Sequence, residues 1–191
     1  IDLETIDFPL VLRKWKIGKG HKVAVLGLGG LGHMAVKFAV SFGAEVTVLS
    51  TSPSKEADAK KLGAHNFCNT KDAAQVKQYN NYFDFIIDTV AAEHDYDMYL
   101  KMLAANGVQV LVGIPSTPIN FSAFSLLTNG RSLSASSIGG IPETQEMLDY
   151  CAEHNIVSDV EVIYINYINE AYERVIKSDV KYRFVIDLAT I

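Results

Sequence analysis

The chain has 191 residues, 49% of them hydrophobic, and a formal net charge of −5. That is apolar material for one full core and a small appendage rather than two large domains, and the acidic balance argues against nucleic acid or an anionic membrane as the main partner. No apolar run approaches the length of a membrane span, and two cysteines, Cys68 and Cys151, imply no disulfide framework, so a reducing cytoplasm is the expected compartment.

Residues 1–20 are mixed and amphipathic, without the basic start and apolar centre of a signal peptide. Within them Phe8–Trp15 has helical spacing. From there strands and helices alternate. Val23–Leu26 reads as a first strand, Leu31–Phe42 as its helix and Glu45–Leu49 as a second strand. Pro53 and Ser54 open a helix that runs to about Leu62 and stops at Gly63. His65–Cys68 is a short third strand and Lys71–Gln78 a weak polar helix. Phe83–Asp88 is a strongly apolar, buried strand. Asp95–Ala104 reads as a helix closed by Asn106-Gly107, followed by a strand at Val108–Val112 that ends in Gly113-Ile114-Pro115. A helix near Phe121–Leu127, a strand near Ser132–Ser136 and an amphipathic helix at Thr144–Glu153 come next. Glu161–Ile165 and Phe184–Asp187 read as terminal strands with a helix at Ile168–Lys177 between them. Repeated β-α units with short loops imply an α/β fold: a Rossmann-type, doubly wound, mostly parallel sheet with helices on both faces. The near-continuous apolar strands fit burial on both sides.

The most specific local signal is Val23-Ala24-Val25-Leu26-Gly27-Leu28-Gly29-Gly30-Leu31-Gly32. It places G-x-G-x-x-G between a strand and a helix, the context that separates a dinucleotide site from a chance match. Gly27 lets the chain turn off the strand, Gly29 lets a pyrophosphate approach the backbone, and Gly32 lets helix and strand pack closely. Gly30 and Leu31 belong to the same phosphate-binding turn, which offers N–H groups and a positive dipole end.

The tip of the second strand tests the adenosine ribose. An Asp or Glu there accepts from the ribose hydroxyls of NAD. This chain has Ser50-Thr51-Ser52 and then Lys55. Hydroxyls donate to phosphate oxygens and an ammonium adds positive charge, so NADP(H) is the expected cofactor. The plainer reading is a helix N-cap region with a solvated Lys55, and both readings are compatible. Glu45 begins the strand and so sits at the wrong end. Candidate contacts on the other strand tips are Thr89 for a pyrophosphate or ribose, Val112, Gly113 and Ile114 for the nicotinamide face, and Ser136, Ser137 and Ile138 for its carboxamide. The alternative is that Gly113 and Gly139-Gly140 only serve turns.

No catalytic constellation is visible. The five histidines are scattered, and none pairs with cysteine at zinc-ligand spacing. His33, one residue past the loop, could face phosphate, though a capping or solvent-facing role at a helix start is the plainer reading; His94 reads as exposed, Cys68 and Cys151 as small fillers, and Asp84 and Asp88 as strand residues rather than an acid/base pair.

The segments Gly27-Leu28-Gly29-Gly30-Leu31-Gly32-His33-Met34-Ala35-Val36-Lys37, Ser50-Thr51-Ser52-Pro53-Ser54-Lys55 and Ser137-Ile138-Gly139-Gly140-Ile141-Pro142-Glu143-Thr144-Gln145-Glu146-Met147, with the final Tyr182-Arg183-Phe184-Val185-Ile186-Asp187, resemble the cinnamyl alcohol dehydrogenase family of zinc-dependent medium-chain dehydrogenase/reductases. The resemblance covers about Leu12 to the end. It implies an NADP(H)-dependent alcohol dehydrogenase or aldehyde reductase whose zinc ligands come from a separate catalytic domain. The family's last catalytic cysteine falls shortly before Arg13-Lys14-Trp15, where Leu3–Leu12 of this chain has none, so no catalytic or zinc-binding residue carries over. The cofactor residues do: Gly27 to Gly32, Ser50, Thr51, Ser52 and Lys55, with Thr89, Val112 and Ser136–Ile138. The resemblance therefore implies a truncated chain: residues 1–20 as the junction to a missing catalytic domain, residues 21–191 as the dinucleotide-binding domain, an aldehyde or alcohol substrate only in the complete enzyme, and a homodimer paired through the edge Leu133–Ser137. Loss of the other domain is expected to expose apolar surface around Phe8–Trp15. A stand-alone NADP(H)-binding regulatory or redox-sensing module remains the alternative. A methyltransferase, which also uses a glycine-rich first turn, fits less well because it wants an acid where Ser50 stands.

Overall fold

The computed structural model describes residues 14–177 and 179–190. The expectation for Phe8–Trp15 lies outside the described residues up to position 13; Trp15 itself is half-buried against the core.

Six strands form one parallel sheet: β1 (Lys22–Leu26), β2 (Glu45–Ser50), β3 (Asn66–Asn69), β4 (Phe83–Asp88), β5 (Leu103–Leu111) and β6 (Ser132–Ala135), in the order β3-β2-β1-β4-β5-β6. The order reverses direction between β1 and β4, so a crevice opens beyond their C-terminal ends, the usual ligand position in such sheets. The register pairs Leu26 with Leu49 on one side and with Asp88 on the other. The tips of β1, β2 and β4 therefore end level with one another.

Side-chain alternation explains the two layers. Val23 and Val25 of β1 join a core with Met34 and Phe38 of α1 (Gly30–Ser41), Ala59 of α2 (Glu56–Lys61) and Met147. Ala24 and Leu26 join the opposite core with Phe83, Ile86 and the buried Tyr99, Leu100 and Met102. The polar α3 (Ala73–Gln78) is capped by Asp72, whose side chain accepts from Ala74 and Gln75, and α4 (Tyr96–Met102) by Asp95. Two further helices follow, α5 (Ala123–Leu127) and α6 (Ile141–His154). Pro142 lies in the first turn of α6, which starts three residues before the sequence pattern suggests.

Two expectations change. Asn106-Gly107 does not close a helix: the helix stops at Met102 and β5 begins at Leu103. The pair instead makes an irregularity inside the strand, where pairing shifts from Phe83↔Leu103 to Phe85↔Val108. Asn106 takes φ +60°, and a Cβ on Gly107 would stand 2.9 Å from the Phe83 carbonyl oxygen, so a small residue is needed there. Nor do the last two strands extend the main sheet. β7 (Glu161–Ile163) and β8 (Phe184–Ile186) pair in parallel with each other around α7 (Ile168–Ile176). Among the described residues no helix is long and apolar enough to cross a membrane.

Candidate functional site

The glycine loop is shaped by three different demands. Gly27 holds φ +90°, and a Cβ there would meet the side chains of Val90 and Thr89 at 2.8 and 2.9 Å. A Cβ on Gly32 would lie 2.1 Å from the Gly27 carbonyl oxygen, which no rearrangement short of moving α1 would relieve. Gly29 differs: nothing lies within 4 Å of its would-be Cβ. Its bareness serves no internal packing and leaves space in front of the backbone. The first N–H groups of α1 have no intrahelical acceptor and supply donors there.

Ser50 closes β2 and is almost fully buried; its hydroxyl oxygen accepts from the Ser52 amide at 3.2 Å. Thr51 is exposed and Ser52 half-buried. No side chain caps the 3₁₀ turn at Pro53–Lys55 or the helix that follows, so capping does not consume these hydroxyls. Lys55 is not a solvated end group. It is half-buried, and its Nζ donates to the Leu28 carbonyl at 2.8 Å, joining the tip of β2 to the glycine loop. Burial lowers its pKa below the usual lysine value, partly offset by Asp58; with no carboxylate at the β2 tip, an anion is the natural second partner for this ammonium.

Thr89, just past β4, donates its hydroxyl to the Leu26 carbonyl at 2.8 Å. A cavity of about 620 Å³ collects Gly27, Leu28, Gly29, Gly30, Leu31, Ser50, Thr51, Ser52, Lys55 and Thr89, together with Glu93, His94 and Tyr99. The volume suits a nucleotide-sized ligand, and the residues present fit a phosphorylated dinucleotide: open glycine backbone, hydroxyls and one ammonium. Gly32 stands behind the loop as a packing residue. The remaining candidates do not line this cavity. Val112 is core, its amide donating to Asp88 O at 2.8 Å, and Gly113 is pressed against the Thr89–Val90 backbone, a Cβ there standing 2.8 Å from both carbonyl carbons. Ile114 is 86% exposed and Ile138 54%. Ser137 is exposed, while the Ser136 amide donates to Leu111 O at 3.0 Å.

Three side chains take places that the sequence reading did not give them. His94 is not exposed: its Nε2 meets Asp88 Oδ2 at 3.0 Å, and Gln109 donates to the same oxygen at 2.8 Å. Burial lowers the His94 pKa, but the bond to Asp88 and its charge outweigh this and leave it raised. An acid at a strand end followed six residues later by histidine was the available clue. His33, expected at the surface, is fully buried and stacks on Tyr182 with centroids 4.5 Å apart. Arg183 donates Nη2–H to Gly30 O at 3.0 Å across 153 residues of chain, a separation that leaves no local signal. Cys68 is the buried filler expected, its thiol pushed up to about 11 by burial.

With this geometry in place, comparison with known proteins is decisive. Residues 30–153 match the zinc-binding dehydrogenase family. The chain belongs to that family. Among its relatives, the probable formaldehyde dehydrogenase AdhA of Bacillus subtilis is 50% identical over 94% of this chain and 52% of its own length. NADP-dependent alcohol dehydrogenase C 1 of Mycolicibacterium smegmatis is 52% identical over the same shares. Among solved structures, cinnamyl alcohol dehydrogenase of Sorghum bicolor superposes with a TM-score of 0.92 at 43% identity, covering 97% of this chain and 53% of that one. The Helicobacter pylori cinnamyl alcohol dehydrogenase complexed with NADP(H) gives 0.87 at 39% identity, with the same coverage. The chain spans about half the length of the curated relatives it matches. Although the family is named for zinc, among the described residues no three His, Cys, Asp or Glu side chains stand together to hold a metal ion. These residues do not fit a zinc centre.

Proposed function

We propose that this chain is the NADP(H)-binding half of a zinc-dependent alcohol dehydrogenase or aldehyde reductase. The observation that carries the reading is the meeting of Ser50, Thr51, Ser52 and Lys55 with the open backbone of Gly29 in one cavity, where an NAD-selective site would place an acid. Bound NADPH supplies a hydride to an aldehyde carbon, and NADP⁺ takes one from a primary alcohol. The chain's own residues bind and orient. The α1 N-terminus receives the pyrophosphate, and the β2 tip with Lys55 receives the 2′-phosphate. Thr89 faces the adjoining ribose, while Ile114 and the Ser136–Ile138 stretch, set beyond β5 by the packed Val112 and Gly113, flank the nicotinamide end.

In this reading residues 1–20 are the junction and residues 21–191 the dinucleotide domain, and the half that bears zinc and the substrate pocket lies in the other part of the enzyme. Matching half the length of relatives named as alcohol dehydrogenases and aldehyde reductases favours this over a stand-alone redox sensor. Among the described residues, exposed apolar surface open to the other half includes the C-terminal β7–α7–β8 unit, where Val162, Tyr164, Tyr172 and Ile176 are 64–76% exposed. The free edge of β6, last in the sheet order, is the proposed homodimer seam, testable by sedimentation. Both cysteines are free thiols, in keeping with a cytoplasmic setting.

Calorimetry on the folded chain tests the reading. Binding of NADPH stronger than NADH is expected; no heat with NADPH or NADP⁺ would overturn it. Aldehyde reduction by this chain alone, with added zinc, would overturn the division of labour.

A further inference from the structure

His33 follows the last glycine of the loop and carries no assigned role. Its ring is fully buried, and the Gly29 carbonyl oxygen lies 3.1 Å from Nδ1. The same oxygen accepts from the His33 backbone amide at 3.0 Å. A carbonyl oxygen only accepts, so Nδ1 carries the hydrogen. The other ring nitrogen, Nε2, is buried without a hydrogen-bond partner. As a bare lone pair it loses one solvent bond; as an N–H in a cationic ring it would bury an unpaired donor and a charge together, which costs far more. Tyr182 stacks on the ring at 15° between planes.

Resting on the cofactor reading above, we propose that His33 is a positioning residue of the dinucleotide site: a neutral Nδ1–H imidazole, clamped by Tyr182, that draws the Gly29 carbonyl into the helix so that the loop presents N–H groups to the pyrophosphate. Two donors from one residue occupy both lone pairs of that carbonyl, which keeps a partial negative charge out of the anion's path. The clamp also links the loop to the C-terminal unit. Arg183, adjoining Tyr182, holds Gly30 O, and Lys37 of α1 reaches Val157 O at 2.6 Å and Asp159 at 2.5 Å. The charges facing His33 are thus Arg183 before β8, Lys37 on its own helix and Asp159 before β7. Burial, followed by the two cations, lowers its pKa below the ordinary histidine value, against the Gly29 bond and Asp159.

Two measurements on the full chain test this. The ¹⁵N imidazole spectrum is expected to show His33 neutral and Nδ1-protonated at pH 7; an Nε2–H tautomer or an imidazolium overturns the proposal without touching the cofactor reading. NADH affinity, free of the titrating 2′-phosphate, is followed by fluorescence in the wild type, His33→Leu and His33→Asn. Removing the donor is expected to weaken NADH about tenfold, and Asn, whose amide donates again, to restore it to within about threefold. The wild type should also lose affinity in acid along a titration that His33→Asn abolishes. Wild-type binding with His33→Leu unaffected sinks the positioning role alone, whereas a wild type that binds neither NADPH nor NADH sinks both. Should His33→Leu fail to fold, Tyr182→Leu provides the second variant: it keeps the donor but frees the ring. It is expected to mix the tautomers and weaken NADH, while Tyr182→Phe, which keeps the stack, behaves as wild type. Unmixed tautomers in Tyr182→Leu overturn the clamp.

Discussion

The two halves of the sheet's C-terminal end are built differently. At the tips of β1, β2 and β4 three polar side chains are held by bonds within the chain: Lys55 on Leu28 O, Thr89 on Leu26 O, and Ser50 on the Ser52 amide. At the tips of β5 and β6 the chain ends in Ile114 and Ile138, large apolar side chains 86% and 54% exposed. Burying such groups is worth about 1.5–3 kcal/mol each, which these two side chains do not gain here. On the proposed reading the first group of tips holds the adenosine end of the cofactor and the second faces its nicotinamide end.

The contrast is broken most severely inside the adenosine half. Gly32→Ala forces a Cβ to within 2.1 Å of the Gly27 carbonyl oxygen, and separating loop from helix should cost about 3 kcal/mol or more. Gly29→Ala makes no such contact and should leave stability within about 0.5 kcal/mol, yet fill the space a pyrophosphate needs. Thermal unfolding and NADPH titration of both variants separate packing from ligand approach. If Gly29→Ala bound NADPH as tightly as wild type, the pyrophosphate would lie elsewhere.

Lys55→Glu tests selectivity within the same half. Charge-assisted bonds contribute about 1.5–3 kcal/mol, so NADPH should weaken on the order of 10–100-fold, with NADH affected far less. Equal losses would confine Lys55 to its bond with Leu28 O.

What the sequence reveals follows the same divide. The glycine loop and the Ser50–Lys55 turn are contiguous, and their chemistry depends on local backbone, so their residues can be read in order. The sequence pattern carries a helix from Asp95 to Ala104 because Asn106-Gly107 satisfies the rule for a helix stop, and only pairing with β4 shows that the chain is already a strand at Leu103. β7 and β8 look like ordinary strands of the main sheet because period and composition do not encode a partner. His33 and Arg183 act through contacts across the chain, and a histidine at a helix start carries no sign that Tyr182 will cover it.

The buried histidines sharpen the comparison through pH. His94 has a raised pKa, so its pair with Asp88 contributes stability that is fully present below the unfolded value of 6.5 and lost as pH rises through the folded value. His33 has a lowered pKa and acts oppositely: stability falls as pH drops below 6.5, because the unfolded chain binds a proton that the folded chain resists. His94→Gln should cost about 1 kcal/mol in mildly acidic buffer and remove the alkaline-side decline; His33→Asn should remove the acidic-side decline. Denaturant unfolding across this range checks both, and a decline on the alkaline side that survives His94→Gln would show that the Asp88 pair is not its source.

The smallest effect is expected in the nicotinamide half, and its smallness is the point. Ile138→Ser removes a side chain already 54% in water, so in this chain it should change stability by no more than about 0.5 kcal/mol and leave NADPH affinity within about twofold, because the adenosine end carries the grip. The nicotinamide ring would be held only once the second wall closes over it. The same substitution in a complete family member should therefore weaken NADPH more than it does here. If Ile138→Ser cost tenfold in the present chain, the nicotinamide would already be seated against β6, and the contrast between the two ends of the site would be wrong.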